Sequence, residues 1–147
     1  MRKKMLMILI ALIALAYFPC TSYGQAMQKG GGKTTTLETG GTVCDLNGEW
    51  NVLYEHYGNL AWVGNIKGVI MMEHQGSTFV GKTAMDSAWS PKGTERMRGE
   101  LDKDGIKKAQ YSVPNMGWTD AKGEMSGDCK KIVLDTGIGV KVTLERK

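Results

Sequence analysis

Histidine is scarce in this chain of 147 residues: only His56 and His74 occur, each preceded by a glutamate. Paired Glu-His steps suggest zinc. If the two segments carrying them form a hairpin, however, His56 falls opposite Lys67 and His74 opposite Glu49, which leaves the rings ~20 Å apart at ~3.3 Å per residue. They cannot share a metal, and both are expected as solvated strand-end residues. A hydrolytic triad needs an activated nucleophile beside a histidine oriented by a carboxylate, and neither histidine sits in such a motif. Walker loops, the dinucleotide glycine fingerprint, Cys-x-x-Cys and EF-hand loops are missing as well. Asp102-Lys103-Asp104-Gly105 is too short to cage calcium and reads as a turn. The expectation is a non-enzymatic protein with no metal and no cofactor.

Charge of one sign is also lacking. Of the 19 basic residues, Arg2, Lys3 and Lys4 precede an apolar run from Met5 to Phe18, and without them 16 basic residues face 15 acidic ones. So small an excess gives no electrostatic footprint for nucleic acid or an anionic membrane surface. The run itself is the single long apolar stretch and is short for a membrane span. Behind a basic start it reads as a signal peptide over 1–24, cleaved before Gln25 beside the small residues Ser22 and Gly24. Cys20 raises lipidation as an alternative, but Tyr17-Phe18-Pro19 stands where a lipobox has small residues. The expected location is a bacterial periplasm or the medium, with no membrane span. Loss of the signal leaves two of the three cysteines, Cys44 and Cys129, in an oxidising compartment, where an even count reads as a disulfide.

Residues 25–42 offer little apolar surface to offset the entropy of ordering, so they read as a flexible leader to a domain spanning 43–147. Within that domain the hydrophobic period is two and turn signals recur about every dozen residues, the spacing of an all-β fold. Strands are predicted at 48–57, 66–74, 77–84, 94–101, 106–113, 118–125, 131–135 and 139–146. Met97/Gly99/Leu101 alternate inward against Arg96, Arg98 and Glu100; Ala109/Tyr111/Val113 against Lys108 and Gln110; Ala121/Gly123/Met125 against Lys122 and Glu124; Val140/Val142/Leu144 against Lys141, Thr143 and Glu145. Gly68, Gly81, Gly99 and Gly123 fall inside strands, where repeated glycines permit the bending of a closing sheet. Up-and-down order gathers Cys44, Cys129, Trp50 and Arg146 at one tight end. Trp62, Trp89 and Trp118 fall at the other, in or beside longer loops, with Tyr57, Leu60, Met85 and Met116. Such a rim supplies large apolar contact area with polar handles. The inferred inward set, Trp50, Tyr54, Phe79, Met97, Tyr111, Met125, Ile132 and Leu144, is bulky and predicts a shallow cup instead of a deep cavity.

The opening Gly48-x-Trp50 resembles that of the calycins, the superfamily of lipocalins, fatty-acid-binding proteins and avidins, in which the tryptophan plugs the closed end of a barrel. Arg146, near the end of the last strand, resembles the arginine that lies across that tryptophan, a stacking worth about 0.5–2 kcal/mol. Cys44-x-Leu46-x-Gly48-x-Trp50 with a late Cys129 is similar to the avidins in particular. Val52, however, stands in place of their biotin-binding asparagine and the last strand has no tryptophan, so the biotin site is not carried over. The resemblance covers the two ends of the domain. It implies a single eight-stranded antiparallel up-and-down barrel with Gly48, Trp50 and Arg146 as structural residues. It also implies a small apolar or amphipathic ligand at the mouth, held by Trp62, Trp89, Trp118, Tyr57 and Met116. A second class stays open: a protein-binding module such as a protease inhibitor. Bacterial periplasmic inhibitors resemble this plan of signal peptide, small disulfide-bonded barrel and N-terminal segment that enters a target's cleft.

Overall fold

The computed structural model describes residues 32–147. The expected signal peptide, Cys20 and residues 25–31 lie outside the described residues. Ten strands follow in order: β1 (Thr34–Thr36), β2 (Thr42–Cys44), β3 (Gly48–His56), β4 (Ile66–Gln75), β5 (Thr78–Thr83), β6 (Glu95–Asp102), β7 (Gly105–Val113), β8 (Gly117–Met125), β9 (Lys131–Asp135) and β10 (Val140–Arg146). A 3-10 turn, Gly58–Val63, fills the β3–β4 connection. The last eight strands close into one barrel in chain order, β10 returning to pair with β3, and every pairing is antiparallel. The expected up-and-down barrel is therefore the fold, and each barrel strand ends within one residue of its predicted bounds.

Alternation does most of the work. Trp50 and Val52 on β3, Ile70 and Met72 on β4, Phe79 on β5, Met97 and Leu101 on β6, Tyr111 on β7, Ile132 and Leu134 on β9 and Val142 and Leu144 on β10 are all buried in one core. Charged residues occupy the outer face, where cross-strand pairs such as Lys82–Glu73 at 2.7 Å and Lys131–Glu145 at 3.8 Å contribute little individually. At Gly81, Gly99 and Gly123 there is no room for a side chain, whereas a methyl at Gly68 would make an ordinary contact, 3.4 Å from Val52 Cγ1. A methyl added at Gly81 would sit 2.5 Å from Met97 Cγ, and one at Gly123 would sit 2.5 Å from Ile106 Cγ2. Large inward side chains thus lie over strands that have none.

The part of the predicted leader that is described, 32–42, departs from expectation. Its strand β1 pairs with β2 in a hairpin, Thr34 opposite Cys44 and Thr36 opposite Thr42. Gly40 takes a positive φ of 87° in the turn, a conformation that costs glycine nothing. Leu37, only 8% exposed, and Val43 join the barrel core, and the Lys33 carbonyl accepts the Asp45 N–H at 2.9 Å. One leucine and a covalent tether at the adjacent Cys44 supply what composition alone does not show.

Candidate functional site

The two barrel ends differ sharply. At one end Trp50 is fully buried, and its Nε1 donates to the Leu46 carbonyl at 2.9 Å. The Arg146 guanidinium lies 4.6 Å from the Trp50 ring centroid. It also donates to the carbonyls of Asp45, of Asn47 at 3.3 Å and of Cys129 at 3.4 Å. Cys44 and Cys129 are disulfide-bonded, with Cα atoms 5.5 Å apart, which ties the hairpin to the β8–β9 turn. Asp45 caps the same end. Burial works to raise its pKa, but hydrogen bonds from the Asn47 backbone and side chain, with His74 and Arg146 nearby, outweigh it and hold the carboxyl below its ordinary value.

His74 belongs to this closed end and corrects the reading of it as solvated. Its side chain is 1% exposed, because it shares the inward parity of Ile70 and Met72 on β4. The Leu46 N–H donates to Nδ1 at 3.3 Å, while Nε2 is buried without a hydrogen-bond partner among the described residues. The predicted β3–β4 register was also displaced: Leu53 opposes Lys67 and Gly48 opposes Met72. His56 stands at the opposite end, its Nδ1 donating to the Gly64 carbonyl at 2.6 Å. Among the described residues no group of His, Cys, Asp and Glu side chains could hold a metal ion.

The open end holds a cavity of about 460 Å³. This is within the ~300–1,000 Å³ usual for small-molecule sites. Tyr54, Tyr111 and Arg96 lie low in it, short or absent side chains at Val113, Val140 and Gly68 leave it room, and Leu60 and Val63 of the 3-10 turn wall one side. The rim carries Trp62, Met85 and Trp89, exposed at 81%, 58% and 67%. Burial raises the pKa values of both Tyr54 and Tyr111, more than Arg96 lowers them, so both hydroxyls stay protonated.

Of the five predicted ligand residues, Trp62 and Trp89 line this cavity and Trp118, Tyr57 and Met116 do not. Trp118 lies on the outer face, under Arg98 at 4.1 Å. Arg98 is anchored by Gln110 and Gln110 in turn by Asp120, at 2.9 and 2.8 Å. The parity of Ala121, Gly123 and Met125 already placed Trp118 outward. Tyr57 donates to Asp135 Oδ1 at 2.7 Å across the β9–β10 turn, a bond that raises its own pKa and lowers that of Asp135. Met116 is exposed in the β7–β8 turn. Arg96, predicted outward, is the cavity residue that sequence reasoning missed. No protein family, curated protein or solved structure matches the chain.

Proposed function

We propose that this chain is an exported, non-enzymatic binding barrel of calycin type that takes one small apolar or amphipathic ligand into its open end. The observation that carries the reading is the cavity of about 460 Å³ between a packed floor and the exposed Trp62, Met85 and Trp89. Contiguous exposed apolar surface of this kind is a common feature of ligand-binding grooves, which supports the reading. The Trp50–Arg146 stack at the closed end supports the calycin relationship. The Cys44–Cys129 bridge supports export to an oxidising compartment. No helix among the described residues is long and apolar enough to cross a membrane.

Titration of tryptophan fluorescence with a neutral lipophilic probe such as N-phenyl-1-naphthylamine tests the reading. Saturable binding is expected in the wild type, lost in a Trp62→Ala, Trp89→Ala double variant and retained in Trp118→Ala. A second reading, a protein-binding module, draws on the same rim, since solvent-facing tryptophans are frequent anchors of protein interfaces. Absence of probe binding in the wild type would abandon the carrier reading in its favour.

A further inference from the structure

Alternation along β6, with Met97, Gly99 and Leu101 inward, places Arg96 on the wet face. The pairing with β5 breaks that alternation. Gly81 opposes Met97 and Lys82 opposes Glu95, so Arg96 has no residue across from it. A bulge of this kind adds one residue and re-aims a side chain. Arg96 consequently turns into the barrel, where it lines the cavity above the buried Met97.

A guanidinium moved from water into a partly apolar cup is ordinarily matched by a carboxylate, because desolvating a lone charge is costly. None of the ion pairs among the described residues includes Arg96. Its partner is neutral: Nη2 donates to the Tyr111 hydroxyl at 2.8 Å, with the guanidinium carbon 5.2 Å from the ring centroid. The two tyrosine hydroxyls beside it, Tyr111 and Tyr54, leave several of the five guanidinium donors free. Asp86, the carboxylate on the cavity wall, accepts the Lys92 backbone N–H at 2.7 Å. A second feature points the same way. Ser90 lines the cavity at 6% exposure, and its Oγ has no hydrogen-bond partner among the described residues.

We propose that the cavity contains an anion subsite at Arg96, and that the ligand is an amphiphile whose single oxyanion head, a carboxylate or sulfate, sits on the Arg96 fork while its apolar body rises to Trp62 and Trp89. This rests on the binding-barrel reading above and narrows it to one ligand class. An oxyanion meets a guanidinium through two parallel N–H···O bonds, which fix the head as well as attract it. The hydroxyls of the half-buried Tyr54 and the buried Ser90 are additional donors on the same wall.

Isothermal titration of the folded protein with decanoate, decyl sulfate, decanol and decylammonium, each below its micellar concentration, tests the subsite without any substitution. At least one anion is expected to bind about tenfold to a hundredfold more tightly than decanol, the range of a charged hydrogen bond, and decylammonium more weakly than decanol. Arg96→Gln should erase the anion preference, and Arg96→Lys, which keeps the charge without the fork, should keep part of it. Equal binding of decanol and both anions overturns the subsite and leaves the apolar mouth standing, as does an anion preference that survives Arg96→Gln. If none of the four binds, the subsite and the binding-barrel reading both fall.

Discussion

At the scale of single residues, the space reserved by glycine carries as much of the design as the large side chains that use it. At Gly99 an added methyl would overlap the Lys108 carbonyl oxygen and lie 2.6 and 2.7 Å from two Phe79 ring atoms. The carbonyl belongs to the β6–β7 ladder and cannot swing aside. Gly99→Ala is therefore expected to lower unfolding free energy by about 1–3 kcal/mol, the usual cost of overpacking. Gly127→Ala meets no atom within 4 Å and should change it by less than about 0.5 kcal/mol. Paired urea titrations decide, and equal stability of the two variants would refute the packing account. Arg146 shows a different economy, since one guanidinium covers Trp50 and ties three carbonyls from two separate segments of chain.

Among the elements, strands whose inward and outward residues differ clearly were legible, and those governed by a local irregularity were not. Alternation places β3 to β10 because each has one wet face. It fails at Arg96 because a bulge changes parity without any change of composition, and nothing in Glu95-Arg96-Met97 announces the extra residue. It also misses the β1–β2 hairpin, whose order comes from Leu37 and from the Cys44–Cys129 bond beside it. Trp118 follows its parity and not its nearness to a loop: it faces outward beneath Arg98. The hairpin yields a prediction. Reduction of a bridge between residues 85 apart in sequence should cost about 2–5 kcal/mol, and the Asp45 amide, bonded to the Lys33 carbonyl, should lose hydrogen-exchange protection before Val142 in β10 does. Unchanged denaturation midpoints with and without reductant would contradict this.

For the whole molecule, the division into a packed floor and an open upper half sets how stability responds to pH. The three tyrosines among the described residues, Tyr54, Tyr57 and Tyr111, all have pKa values raised above 10.0. Burial is the main cause for Tyr54 and Tyr111, while Tyr57 is held by its hydrogen bond to Asp135. A group that ionises less readily when folded leaves the native state holding protons that the unfolded chain has released, so stability falls as pH rises. The contribution of Tyr54 and Tyr111 is fully present below pH 10.0 and is lost as pH climbs from there toward their folded values. At the acid end the sign reverses. Asp45 titrates below its ordinary 3.8 in the folded protein, so its contribution is present above that value and disappears as pH falls through the lowered one. Thermal midpoints should therefore be level through neutral pH and fall at both extremes. Above pH 10.0, phenolate absorbance beyond that of the exposed Tyr57 should rise together with the loss of far-ultraviolet circular dichroism, because burial disfavours the phenolates of Tyr54 and Tyr111 in the folded barrel. Phenolate absorbance from two or more of the three tyrosines at pH 10.0 in protein that is still folded would show that the upper half admits water freely, and with it that Tyr54 and Tyr111 do not form a shielded cavity floor.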